Sequence, residues 1–302
     1  MRQPTLAERL GFAPSERVAV IHVDDIGMCH AANEGAFEAL ASGPATCGSV
    51  MVPCPWFPEA AARARENPRL DLGVHLTLNA EWEHYRWGPV AGRSAVPSLV
   101  VRDGGLPRTA LETVQRARPE EVEIELRAQV ERALAAGIDV THLDAHMGTV
   151  LFPPFAGIYA RLARDYRLPV FAVRPDAQAL AARGLAGAVA VFEGLATQLE
   201  RAGFPLLDGF EVDSLDFAPG DGLAHNRRRL SRLGPGVSWL VCHAAKGGEE
   251  LEAITPKGAH AREFERTFYG GESGRLALEE AGIRGVGMRA LRELVRSEGA
   301  AR

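Results

Sequence analysis

The sequence predicts an α/β protein whose parallel strands form a (β/α) barrel, incomplete or distorted. Short runs rich in Val, Ile and Leu alternate with helical stretches, the order that builds βαβ units and a parallel sheet. Polar residues then fall at, or just beyond, the ends of five separate predicted strands: Asp24 and Asp25, Asp144 and His146, and His75, Arg174 and His243. In a barrel those ends converge on one rim, where active sites are built, whereas an open doubly wound sheet would spread them out. No G-x-G-x-x-G or G-x-x-x-x-G-K-[ST] stands at a strand–helix turn, so nucleotide binding has no support.

Residues 5–11 predict a short lead-in helix. Residues 17–23 (RVAVIHV) are a dense apolar run and predict a buried strand that ends at Asp24-Asp25-Ile26-Gly27. A helix over 30–40, a strand over 47–52 and a helix over 56–66 follow. The strand over 71–78 (DLGVHLTL) carries His75. Residues 79–107 hold no clean period and many Gly and Pro, so an irregular excursion is expected around 79–110. Pro119 suits the first turn of a helix over 120–136, and Glu120, Glu121 and Glu123 suit its positive end. Gly137 caps that helix, and Ile138, Val140 and Thr141 open the strand with Thr141-His142-Leu143-Asp144-Ala145-His146. Later elements are a helix over 155–166, a strand over 168–173 ending at Arg174, and one or two helices over 177–202 broken near Gly184 and Gly187. A strand over 210–215 and an Arg-rich helix over 223–233 precede a strand over 237–242 (VSWLVC) ending at His243. Helices over 261–268, 273–281 and 288–297 and a short strand over 283–286 complete the chain.

At 302 residues the chain can bury a large core. With no repeat, low-complexity segment or linker, a single domain over 1–302 is expected. Hydrophobic residues make up 46% and charged residues 24%, the ordinary soluble range. A net charge of -5 gives no reason to expect nucleic-acid or anionic-membrane partners. Cys29, Cys47, Cys54 and Cys242 form no C-x-x-C pair, which argues against a disulfide framework. The first residues show no apolar leader, and the longest apolar run, 185–192, is far short of a membrane span. A cytoplasmic protein is the expectation, and the sequence leaves its oligomeric state open, a homodimer included.

Along a strand, side chains alternate faces, so His142, Asp144 and His146 share one. Two imidazoles and a carboxylate are costly to bury without hydrogen bonds or a metal. A divalent cation held by Asp25, His75 and His146 would keep positions open for water and substrate, the pattern of a catalytic site. Of the neighbouring carboxylates, Asp25 can bind the cation while Asp24 acts as a base. His243 can donate a proton to a leaving group, or simply pack against the final helix. His142 and Asp144 are candidates to fix an imidazole tautomer from behind. His22, inside a buried strand, is given no role, and His75 taken alone reads as a core histidine. In Glu81-Trp82-Glu83-His84-Tyr85-Arg86-Trp87, the aromatic faces, Trp87 among them, suit stacking on a sugar, and Arg86 suits an acid or hydroxyl. The same stretch reads equally as an aromatic loop packed on the barrel rim. Arg174, at another strand end, is a further substrate-binding candidate. N and O donors suit Zn, Mn, Co, Ni or Fe(II), and Mg prefers more oxygen.

VIHVDDIGMCHAANEGAFEAL, GVHLTLN, THLDAH and VCHAA resemble, in order, the motifs of YdjC/ChbG-type carbohydrate deacetylases. The resemblance spans Val18 to about His243. It implies a distorted TIM-like barrel and metal-dependent removal of acetyl from a small N-acetylated saccharide. Carried over, Asp25, His75 and His146 would be metal ligands, Asp24 the base and His243 the general acid. Ile26 stands where that family has an aromatic, Met147-Gly148-Thr149-Val150 where it has a His-rich run, and Ala244 where it has Pro. These departures fall where substrate would lie. Rival readings are another barrel metallohydrolase, a non-heme Fe(II) oxygenase, and a sugar-binding homologue without turnover.

Overall fold

In the computed structural model, which describes residues 3–174, 176–182 and 186–299, the strands are β1 (Arg17–Ile26), β2 (Cys47–Val50), β3 (Leu72–Leu76), β4 (Val140–Ala145), β5 (Gly209–Glu211), β6 (Gly236–Cys242) and β7 (Ile283–Gly285). The helices of the first half are α1 (Leu6–Arg9), α2 (His30–Ser42), α3 (Phe57–Glu66), α4 (Ala110–Arg116), α5 (Pro119–Ala135) and α6 (Pro153–Tyr166). Those of the second half are α7 (Ala177–Ala182), α8 (Val189–Arg201), α9 (Gly222–Ser231), α10 (Glu249–Ile254), α11 (Ala259–Tyr269), α12 (Glu272–Glu280) and α13 (Met288–Gly299). The short helices α4 and α10 go beyond the sequence expectation, and the break expected at Gly184 lies outside the described residues.

Every ladder is parallel, and the strands lie in the order β4-β3-β2-β1-β6-β5, with β7 paired to the start of β1. Residues 168–173, read from sequence as a strand, form no ladder. They contribute two isolated parallel bridges, Leu143 to Val170 and Val173 to Leu207, between edge strands β4 and β5. The barrel is therefore carried across this gap by single bridges, which is the incompleteness the sequence predicted.

Period-two alternation divides the core. On β1, Ala19, Ile21 and Val23 pack with the surrounding helices, alongside Phe37, Ala60, Leu126 and Tyr159. Val18 and Val20 face the other way, onto Phe171, Phe210, Val237, Trp239, Val241 and Met288, which fill the barrel's interior. Continuing that inward face along β1 places His22 and then Asp24 above the apolar plug. Helix α2 approaches the rim closely because Gly35 has no side chain: a Cβ there would meet the Ala245 backbone at 2.5 Å.

Candidate active site

Asp25 occupies a left-handed backbone position (φ 64°) just as β1 ends, and Gly27 follows at φ 90°. This sharp turn departs from regular strand alternation and carries the Asp25 carboxylate toward β3 and β4. Asn33 of α2 braces it by accepting from the Gly27 N–H at 2.7 Å. A second kink, with Met147 at φ 53° and Gly148 at φ 66°, turns the chain just past His146.

The structure brings Asp25, His75 and His146 together. Asp25 Oδ1 lies 3.5 Å from His75 Nε2 and 3.4 Å from His146 Nδ1. That oxygen is buried and has no hydrogen-bond partner, while Arg262 Nη1 donates to the other, Oδ2, at 2.8 Å. His75 Nδ1 faces Asp144 Oδ2 at 2.7 Å, which leaves its Nε2 directed at the cluster. His146 Nε2 faces Glu81 Oε2 at 3.0 Å.

Charge follows from this crowding. Burial works against the imidazolium of His75, but Asp144 and Asp24 outweigh it and hold the ring well above its ordinary value. Burial likewise opposes charge on His146, and Glu81 and Asp25 push it up to about 9. Burial would raise Asp25, yet Arg262, then the His146 and His75 rings, keep it well below the usual carboxylate range. A divalent cation would balance the same negative charge. An orphaned carboxylate oxygen facing two ring nitrogens is the donor set such an ion takes. The residues fit a metal.

Asp24 stands beside the cluster, with Oδ2 at 3.8 Å from His75 Nε2 and 3.9 Å from His243 Nε2. Its side chain is 12% exposed and that of His243 is 18%, against 2–6% for Asp25, His75 and His146, so the cluster is most open to solvent on this side. His243 Nδ1 lies 2.9 Å from Ser214 Oγ, whose hydroxyl donates to Glu265. Ser214 therefore accepts from an Nδ1–H, and the His243 Nε2 lone pair points toward Asp24. Burial, assisted by Arg262 and opposed by Asp25 and Asp24, brings His243 down to about 4, so the ring is neutral at pH 7.

The other expected residues divide. Trp87 is buried, donates its indole N–H to the Asn79 carbonyl at 2.8 Å and lies 6.4 Å from the His146 ring. Arg86 is turned into its own loop, donating to Asp103 and to the Leu106 carbonyl. Arg174 is not gathered at the cluster: it is exposed, pairs with Glu200 and lines a cleft with Asp208, Gly209 and Ser238. Asp144 buttresses His75, whereas His142 lies deeper and contacts His22.

Sequence reasoning missed Arg262, Glu81, Glu265 and His22. Arg262 meets Asp25 across 237 positions, and no local pattern marks it. His22 could have been found, because alternation puts it on the inward face with Asp24.

A barrel-like parallel sheet with carboxylates and imidazoles gathered at the strand ends defines the class of protein. A sequence model of YdjC-like proteins matches residues 18–280, and the chain belongs to that family. A carbohydrate deacetylase of Thermus thermophilus is 37% identical over 254 residues, covering 82% of this chain and 85% of that protein. A carbohydrate deacetylase of Brevibacillus brevis is 36% identical over 151 residues, 50% of this chain and 57% of its own length. A crystal structure from Enterococcus faecalis V583, described as a "putative cellobiose-phosphate cleavage protein", superposes with a TM-score of 0.73 at 24% identity, covering 92% of this chain and 99% of that one. That likeness carries the fold.

Proposed function

We infer that this chain hydrolyses the acetamido group of a small N-acetylated saccharide. Asp25, His75 and His146 would hold one divalent cation, Asp24 would act as base and His243 would deliver a proton to the departing amine. The observation that carries this reading is the unpartnered, buried Asp25 Oδ1 facing His75 Nε2 and His146 Nδ1 at 3.5 and 3.4 Å. The relatives named carbohydrate deacetylases support the sugar substrate.

A cation bound there would supply Lewis-acid charge to an acyl oxygen and lower the pKa of water. The chain's own residues do the rest. Asp24 Oδ2, between His75 and His243 and on the open side, takes the proton of the attacking water. His243 starts neutral, so it must collect that proton during turnover before passing it to the amine. Trp87 gives the acyl group an apolar wall beside His146. Arg86 serves substrate indirectly, by bracing the loop that bears Trp87. No helix among the described residues is long and apolar enough to cross a membrane.

The test is His146→Ala, with metal content measured on purified protein and acetate release followed on N-acetylglucosamine oligomers. Both should fall to background, and retention of full activity would discard the ligand assignment. If wild-type protein binds metal and cleaves esters or phosphoesters but releases no acetate from these sugars, the reaction belongs to another barrel metallohydrolase.

A further inference from the structure

Below the cluster, four polar side chains cross the barrel interior in a line. His22 Nδ1 lies 2.6 Å from Asp24 Oδ1, and His22 Nε2 lies 2.7 Å from His142 Nε2. His142 Nδ1 lies 2.8 Å from Thr141 Oγ1, which lies 2.5 Å from Asp71 Oδ1. Asp71 Oδ2 accepts from the Arg289 backbone N–H at 2.7 Å. His22, Thr141 and His142 are fully buried, and the His22 ring stacks on Trp239 with centroids 4.2 Å apart.

We propose that Asp71, Thr141, His142 and His22 form a positioning relay that holds Asp24, the base, by one carboxylate oxygen. Donor counting fixes its order. The single Thr141 hydroxyl hydrogen goes to Asp71, so Thr141 accepts from His142 Nδ1–H. His142 Nε2 is then a bare acceptor and takes a hydrogen from His22 Nε2. His22 thus donates at both nitrogens, to His142 and to Asp24 Oδ1. The Trp239 ring, stacked on His22 with centroids 4.2 Å apart, holds that imidazole's plane in place. With Oδ1 fixed in this way, Oδ2 is the oxygen left facing His75 and His243. As a carboxylate partner orients a catalytic imidazole, the relay orients Asp24, fixing which oxygen faces the cluster and at what angle.

The relay rests on the reading of Asp24 as base, and its test separates the two. Thr141→Val keeps the side chain's shape and removes the hydroxyl, so His142 loses the acceptor for Nδ1–H and changes tautomer. Asp71→Asn keeps the Arg289 contact through its oxygen and turns an amide donor toward Thr141, reversing the order. Both variants should lower kcat at least about tenfold and by no more than the roughly 10²–10⁴ that a general base contributes, with KM and metal content unchanged. Thr141→Ser should behave as wild type. Independently of turnover, ¹⁵N-histidine NMR of metal-free protein should show His142 exchanging its protonated nitrogen in the Val and Asn variants. Wild-type kcat with an unaltered His142 signal, or a loss of thermal stability alone, would reduce these residues to packing and overturn the relay. A second bound metal lost on Cys47→Ser, whose thiol lies near both rings, would also overturn it. Absence of acetate release in wild type would instead discard the Asp24 role and leave the tautomer result standing.

Discussion

Arg262 shows how a single contact can be invisible in sequence and govern a site. It is 5% exposed and donates to the same carboxylate that faces His75 and His146. Removing one partner of a buried pair leaves the other uncompensated, at a cost of about 3–5 kcal/mol. Arg262→Met should cost about that much in urea unfolding with chelator present, and clearly less with saturating metal, since a cation would neutralise Asp25. The pH sense follows from the depressed carboxyl. A group held below its unfolded value of about 3.9 contributes stability above that pH and loses it as pH falls through the folded value. The deficit of Arg262→Met should therefore shrink in acid. Equal deficits with and without metal would argue that no cation reaches Asp25. Asp25, His75 and His146 were legible as a group because the strand–helix alternation sends strand ends to one rim, where barrel chemistry collects, although His75 taken alone reads as a core histidine. Arg262 and Glu81 were not, because their partners are distant in sequence and their own surroundings look ordinary.

Among elements, α5 carries a feature that helix rules alone do not reveal. Pro119 and the following acids announced its start, and Val122, Leu126, Val130 and Ala133 bury its apolar stripe. Yet Glu121, Glu125 and Gln129, spaced four apart, are buried too. Glu121 accepts from the Ser98 N–H at 2.7 Å, and Glu125 accepts from Val90 and Ala91 at 2.9 and 2.8 Å. Gln129 accepts from Thr77 N–H and donates to Thr77 O. The stripe ties down the 79–107 excursion, which looked irregular in sequence because its order comes from a helix some thirty residues on. Burial, opposed by those N–H donors, pushes the Glu125 carboxyl up. A raised folded value means the group favours folding most when protonated and less as pH rises through that value. Wild type should then gain on Glu125→Gln in chemical denaturation as pH drops from 7 toward about 4.3, the unfolded value. Glu125→Ala should destabilise by about 1–3 kcal/mol for each unsatisfied N–H and raise KM, because the excursion bears Trp87. A pH-independent gap would mean that the carboxylate is not buried against this loop. The 168–173 segment misled in the opposite direction: its apolar run is real, but it spans a sheet gap where only single bridges form.

At the scale of the molecule, the barrel is split into a dry half and a charged half. Val18, Val20, Phe210, Trp239 and Met288 plug one end. At the other end, β1, β3 and β4 deliver Asp25, His75 and His146 from three strands of one sheet whose ring closes only through isolated bridges beside β4. A cation shared by those three would cross-link the weakly closed side of the barrel. Binding that favours the folded state stabilises by about 2.7 kcal/mol at one hundred times Kd, and each kcal/mol moves Tm by about 2–4 °C in chains of 150–250 residues. Saturating Zn, Mn, Co or Ni should therefore raise Tm by about 4 °C or more over chelator-treated protein. Hydrogen exchange should slow most in β4 and the turn after it, because His146, the proposed ligand from this edge, lies just beyond the last regular ladder. Uniform slowing would still fit a bound ion, but not one anchored at that edge. An unchanged Tm with all four metals would mean that these three side chains hold none of Zn, Mn, Co or Ni.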